Sequence, residues 1–346
     1  MPGASGRVDY VIGVDTHRDT HTAVAIDRVG GVLEGITIPS SRSGSRELLC
    51  FAETHAPGRR VWAVEGTGIY GASLTRLLLE RGEQVVEVER PRRAVRRRGK
   101  SDELDALTAA REALAGKHLA HPRSPGERAA LQMLLTLRRQ VVKNKVQAIG
   151  LFKTLLVAAP DALREPLVSL STTEQVRRAA RLRKRRDLVD DAGVLVLGSL
   201  ARRILALQAE AEELKGRIGD LVSLLAPHLL ARPGVGVLAG AGVLVAFSHP
   251  GRVRSEAAFA ALAGVAPIPA SSGQHKRYRL NRGGDRQLNC ALHTIVLARL
   301  KSDPATQAYV ARRLSEGKSP REIRRCLKRY VARELFKLLE NGGHMA

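Results

Sequence analysis

The chain has 346 residues, 44% of them apolar, and its 57 Lys and Arg against 34 Asp and Glu leave a formal charge of +23. That apolar content supports folded cores, which excludes a disordered basic tail, and the charge points to a polyanionic partner. Three cysteines with no Cys-x-x-Cys pair exclude a disulfide framework and a zinc site, and the absence of an apolar run of about 18 residues argues against a membrane span.

In chain order, DYVIGVD, TAVAID and GVLEGITI read as three strands, the last two parted by a turn at Gly30 and Gly31. RELLCFAETH follows as an amphipathic helix and RVWAVEG as a fourth strand. GASLTRLLLERG is a helix stopped by Gly82, EQVVEVE a fifth strand, and SDELDALTAAREALAG a helix with Ser101 as its N-cap. A three-strand meander followed by alternating helices and strands is a ribonuclease-H-like order, expected over residues 1–121.

After Pro122 the sequence turns helical and basic, starting with ERAALQMLLTLRRQVVKNKVQAIGLFKTLLVAA. Leu200, Ile204, Leu207, Ala211, Leu214, Ile218, Leu221 and Leu225 are spaced alternately by four and three, a heptad seam. Such a seam serves either a helical hairpin within the chain or pairing between chains, and the connector is expected over residues 122–226. Beyond it, over residues 227–340, RPGVG makes a tight turn at Pro233, Gly234 and Gly236 into a helix. The turn resembles a helix-hairpin-helix element whose amides meet a phosphate, with simple turn chemistry as the alternative. The rest reads as SEAAFAALAGVAP, the polar loop IPASSGQHKRYRLNRGGD, two more helices, and an unstructured NGGHMA tail. The fold class expected is α/β plus all-α.

Asp15 and Glu65 stand at the ends of strands that a parallel pairing sets side by side, while Asp102 and Asp105 share one face at a helix start. Carboxylates converging from several segments suit a pair of hard divalent cations, magnesium by preference, with room left for a phosphate. Each alone has a plainer reading as a cap, turn or surface charge; their joint placement favours a site. His17, Asp19 and His21 in DTHRDTH read more economically as a hairpin turn than as ligands.

Two basic runs, Arg90 to Lys100 (with Arg92, Arg93, Arg96, Arg97, Arg98 and Lys100) and Arg177 to Arg186, concentrate like charge as a nucleic-acid backbone requires. With aromatics at 3%, base stacking is a poor fit and shape reading of a duplex, RNA included, a better one. In the polar loop, serines precede Gly273, followed by His275, Lys276, Arg277, Arg279 and Arg282. That composition allows either a nucleophile with phosphate-neutralising cations or a loop that merely grips a backbone.

GVDTHRDTH, VEGTGIYG, KSDELDA, RPGVG, AGVAP and the SSG of the loop occur here in that order, over nearly the whole chain. Together they resemble the IS110 family of insertion-sequence transposases. The resemblance implies a RuvC-like domain whose metal-binding carboxylates are Asp15, Glu65, Asp102 and Asp105, a coiled-coil connector, and a carboxy-terminal transposase domain with Ser272 as nucleophile, Ser271 being its neighbour. It implies two metal ions per active site, element and target DNA as partners, a structured bridge RNA as guide, a dimer or tetramer, and a cytoplasmic, nucleoid-associated location. Two other readings stand beside it: a RuvC-like nuclease in which Ser272 is a spectator, and a nonenzymatic nucleic-acid-binding scaffold.

Overall fold

Strict alternation along the amino-terminal strands sends odd and even residues to opposite faces of one sheet. The computed structural model describes residues 8–68, 70–88, 101–116, 119–122, 126–269, 278–279 and 281–342. Strands β1 (Tyr10–Thr16), β2 (Thr20–Asp27) and β3 (Val32–Pro39) form the meander, followed by α1 (Arg42–His55), β4 (Arg60–Glu65), α2 (Ala72–Glu80), β5 (Gln84–Val88), α3 (Asp102–Leu114) and the short β6 (Leu119–Ala120). The sheet order is β3-β2-β1-β4-β5-β6, with β1, β4 and β5 parallel and the other pairings antiparallel.

Both faces are covered. Ile12, Val14, Trp62 and Val64 pack with Leu48, Phe51 and Ala52 of α1 and Leu74 and Leu78 of α2. Val11, Val24 and Ala63 pack with Ala106, Ala109 and Ala110 of α3 on the opposite face. Gly13 lets α3 approach: a Cβ there would lie 2.0 Å from the Ala106 carbonyl oxygen and 2.6 Å from the Ala110 amide nitrogen.

The chain divides into two compact units, residues 1–125 with 251–253, and residues 126–250 with 254–346. In the second, α4 (Glu127–Val157), α5 (Asp161–Val168), α6 (Thr172–Ala179), α7 (Leu188–Leu225), α8 (Pro227–Leu230) and α9 (Val237–Phe247) are followed by α10 (Glu256–Leu262) and the two-residue strands β7 (Ile268–Pro269) and β8 (Tyr278–Arg279). Helices α11 (Arg286–Ser302), α12 (Pro304–Ser315) and α13 (Pro320–Gly342) complete it. The boundary expected at residue 226 falls inside this unit, between α7 and α8.

The heptad stripe is used inside the chain, where α7 packs along α4 and Ala211 and Leu214 are buried with Val141. At its end the stripe departs from the expected seam: Ile218 and Val222 are buried, whereas Leu225 is 38% exposed. A straight helix drifts about 20° per heptad from a strict seven-residue repeat, enough to exchange one seam position for its neighbour. Among the described residues α7 is the one helix long and apolar enough by length and composition to cross a membrane, and its apolar stripe lies against α4. The tail expected to be unstructured is helical through Gly342; residues 343–346 lie outside the described part.

Candidate metal centre and nucleic-acid surfaces

The parity of the strands decides which carboxylates meet. Asp15 shares the α3 face of β1 with Val11 and Gly13, and Glu65 shares that face of β4 with Ala63. In the parallel β1/β4 register Val14 stands opposite Val64, so Asp15 and Glu65 follow as neighbours at the carboxyl ends of their strands. The Thr16 hydroxyl donates to the Glu65 carbonyl at 2.7 Å and ties the two ends together. Helix α3 starts here: Ser101 caps it by accepting from the Leu104 amide at 3.3 Å, and Asp102, Glu103 and Asp105 occupy its first turn, where the helix dipole favours negative charge.

Asp15 is 2% exposed and Glu65 6%, while Asp102 and Asp105 are half-buried. Burial pushes the Asp15 carboxyl up to about 6; His17 opposes this, and the negative charges of Glu65, Asp105 and Asp102 add to it. Glu65, Asp102 and Asp105 thus act electrostatically on Asp15, but of the four carboxylates expected from the sequence only Asp15 and Asp102 belong to the cluster of closely spaced ligand atoms among the described residues. The Oδ2 atom of Asp15 is buried without a hydrogen bond, and such an orphaned anionic oxygen is what a cation would satisfy.

His17 is the residue the sequence reading set aside. Its Nδ1 lies 3.5 Å from Asp15 Oδ2 and its Nε2 3.9 Å from Asp102 Oδ1. Asp15, His17 and Asp102 offer ligand atoms within 4.8 Å of one another. The hairpin turn remains real, since the His17 amide donates to the Thr20 carbonyl at 3.0 Å, but the turn also carries the ring to the carboxylates. The nearness of His17 to Asp15 in sequence was the available signal; Asp102, 85 positions on, was not foreseeable as its second neighbour. His21 is buried and engaged elsewhere, with Nδ1 3.0 Å from the Thr20 carbonyl and Nε2 3.2 Å from the Ser40 hydroxyl. Burial holds its pKa below the ordinary value, the Thr20 contact opposing and His17 reinforcing the shift. An oxygen-rich set with one imidazole fits magnesium or manganese.

Of the expected nucleic-acid contacts, Arg92, Arg93, Arg96, Arg97, Arg98, Lys100, Lys276 and Arg277 lie outside the described residues, as do Ser271 and Ser272. Arg279 and Arg282 are exposed. In the second basic run Arg177 and Arg178 pair with Glu174 on α6, whereas Arg181, Arg183, Lys184, Arg185 and Arg186 stand exposed between α6 and α7. Gly234 has φ 73°, and a Cβ there would meet the Ile295 carbonyl at 2.8 Å, so close packing on α11 requires glycine. Arg299 pins the same turn, donating to the Pro233 carbonyl at 2.8 Å and to Glu334. Gly236 precedes α9 with open space where a Cβ would lie and no side-chain cap on the helix.

Comparison with known proteins adds identity to this geometry. Residues 12–159 match the family model DEDD_Tnp_IS110, described as a transposase, and residues 226–311 match that of the transposase IS116/IS110/IS902 family. The insertion element IS110 uncharacterized 43.6 kDa protein of Streptomyces coelicolor is 33% identical over 43% of this chain and 37% of its own length. The insertion element IS900 uncharacterized 42 kDa protein of Mycobacterium paratuberculosis is 26% identical over 95% of both chains. The insertion element IS116 uncharacterized 44.8 kDa protein of Streptomyces clavuligerus is 28% identical over 78% of this chain and 80% of its own. With the two family models matching residues 12–159 and 226–311, and with these three relatives, the chain belongs to the IS110 family of insertion-sequence transposases.

Proposed function

We propose that the chain cuts and rejoins DNA at the ends of an insertion sequence and at its target, using Ser272 as nucleophile and the carboxylates Asp15, Glu65, Asp102 and Asp105 as a metal centre. What supports this reading is that Glu65, Asp105 and Asp102 all act electrostatically on the buried Asp15 carboxyl, whose Oδ2 has no hydrogen bond, and that Asp15, His17 and Asp102 offer closely spaced ligand atoms. Two magnesium ions held by these residues would supply Lewis-acid stabilisation of charge on a scissile phosphate. His17 lies against two of the carboxylates and keeps them oriented. In the proposed chemistry the Ser272 hydroxyl loses its proton and attacks phosphorus, forming a 5′-phosphoserine bond, while the bond to the 3′ oxygen breaks and that oxygen takes up a proton. Attack of a second 3′-hydroxyl reverses the step, so the exchange needs no nucleotide energy source.

The family resemblance and the charge of +23 support further parts of the reading: a structured bridge RNA as guide, Arg92 to Lys100 and Arg181 to Arg186 as its backbone contacts, Lys276, Arg277, Arg279 and Arg282 around the reacting phosphate, and a dimer or tetramer as the working form. Gly234 and Gly236 would set the turn whose amides meet a DNA phosphate. The proposal places the enzyme in the cytoplasm beside the nucleoid. Cleavage of element-end DNA by the native chain and by Asp15→Asn, with binding measured in parallel, tests it. Cleavage lost with binding kept is expected; equal cleavage by the variant refutes the metal centre.

A further inference from the structure

The carboxy-terminal unit contains a cavity of about 650 Å³ whose wall carries Arg279, Arg313, Lys318, Arg325, Lys328 and Arg329. Among its described lining residues Glu322 is the single carboxylate. That carboxylate is already engaged, accepting from the Ser319 amide at 2.9 Å and the Ser319 hydroxyl at 2.8 Å at the start of α13. Three of the cations also have partners: Arg313 is paired with Glu316, Arg329 donates to the Glu256 carbonyl at 3.3 Å, and Lys328 donates to Asn289 Oδ1 at 3.0 Å. Lys318, Arg325 and Arg279 form no salt bridge with a described residue. Burial, with Arg325 beside it, holds the Lys328 pKa below its ordinary value. So much uncompensated like charge on one concave wall calls for an anion.

The place of the cavity narrows the choice of anion. Gly264, Val265, Ala266 and Pro267 form one side, and β7 and β8 pair immediately beyond, with Ile268 opposite Arg279. The two roots of this hairpin are fixed against each other and against α11. A Cβ on Gly284 would lie 2.3 Å from the Gly264 nitrogen; Asn289 donates to the Ala263 carbonyl at 2.7 Å, and the Asp285 amide to the Leu262 carbonyl at 2.6 Å. Residues 270–277, which join β7 to β8, include Ser271 and Ser272. The cavity thus sits at the fixed base of the segment that bears the proposed nucleophile. Tyr330 on its rim meets the Tyr309 ring at 5.7 Å and is still 53% exposed.

We infer that this cavity is a phosphate-binding site for a DNA strand, seating a backbone phosphate near the scissile one and so setting the register of the strand relative to the serine. Guanidinium groups supply forked donors that match phosphate oxygens, and Lys328, held by Asn289, supplies a fixed ammonium. The identification of the anion as DNA rests on the transposase reading; the basic cavity itself does not.

The test uses the full chain, a short labelled duplex DNA and a labelled hairpin RNA, with affinity followed by fluorescence anisotropy from about 50 to about 200 mM salt. The cavity variant is Lys318→Gln with Arg325→Gln, both exposed and unpaired, so folding is retained, as circular dichroism and melting will verify. Arg202→Gln with Arg203→Gln on α7 removes the same charge from an exposed surface elsewhere. On DNA, the cavity variant should bind about tenfold more weakly at low salt and lose about 1.8 from the slope of log affinity against log salt, about 0.9 per phosphate contact. The α7 variant should keep the native slope. An unchanged slope in the cavity variant, or an equal loss in the α7 variant, overturns the site. A loss confined to RNA overturns DNA as its occupant. If the native chain binds neither probe, the transposase reading fails as well, an outcome separate from failure of the cavity alone.

Discussion

Replacing Gly13 by alanine tests how the fold positions the carboxylates. The added Cβ would lie 2.0 Å from the Ala106 carbonyl oxygen, 2.6 Å from the Ala110 nitrogen and 2.9 Å from the Ala110 Cβ, and the first two atoms belong to the backbone of α3. No side-chain rotation relieves such contacts, so α3 must retreat by roughly 1 Å or more to restore van der Waals distances. Overpacking of that kind costs about 1–3 kcal/mol. The same movement carries Asp102 and Asp105 away from Asp15 and Glu65, and a displacement of about 1 Å at a catalytic centre costs on the order of 100-fold in rate. Gly35→Ala is the control: its nearest contact would be 3.6 Å, on an exposed stretch of β3. Urea denaturation and DNA cleavage should show Gly13→Ala folded, destabilised and strongly impaired, and Gly35→Ala near native in both. Native stability and cleavage in Gly13→Ala would refute the claim that close α3 packing builds the site.

Three further outcomes follow from the same structure. Glu83, 14% exposed, pairs with the Arg60 guanidinium and accepts from Trp62 Nε1 at 2.9 Å, so Glu83→Ala should destabilise by about 3–5 kcal/mol by stranding a buried charge. Although burial works to raise the Glu83 pKa, hydrogen bonds from Arg60 and Trp62 hold it below 4.5; its contribution is therefore present above that pH and lost on acidification through the lower folded pKa, a loss a urea titration across pH will register. At Asp15 the sign is opposite: with a folded pKa of about 6 against 3.8, its ionisation without metal costs on the order of 3 kcal/mol above pH 6. Metal-free Asp15→Asn should then melt above the native chain at pH 8, with the advantage gone near pH 4. Magnesium at about 100 times its dissociation constant should stabilise the native chain by about 2.7 kcal/mol, and Asp15→Asn far less, in the same melting assay.

The amino-terminal unit was legible because its apolar runs are short and bounded by turn and cap residues. Short apolar runs marked β1 to β5, and Ser101 and Gly82 punctuated helices as their cap and turn chemistry requires. A parallel pairing of the strands ending at Asp15 and Glu65 sets those two carboxylates side by side, as the β1/β4 register does. His17 was illegible as a neighbour of Asp102, because their approach depends on the packing of α3 against β1, and only the bare Cα of Gly13 permits that distance. In the helical unit the stripe on α7 was visible, but periodicity states that a face is buried, not against what; α4 proved to be the partner. Helices α5, α6 and α12 went unread because each is short and begins at a local signal, Pro160, Ser171 or Asp303, inside long polar or basic stretches. The basic cavity was equally hidden, since its cations come from β8, α13 and the residues around the end of α12, and no linear motif joins them.

The central claim, serine chemistry on a carboxylate metal centre, is tested most directly by trapping the covalent intermediate. Native chain, Asp15→Asn and Ser272→Ala are incubated with magnesium, RNA transcribed from the element's flanks and end-labelled junction DNA, then denatured and resolved by electrophoresis. The account predicts a denaturation-resistant protein–DNA adduct with the native chain and none with either variant. Cleavage without an adduct, or an undiminished adduct with Ser272→Ala, would contradict it.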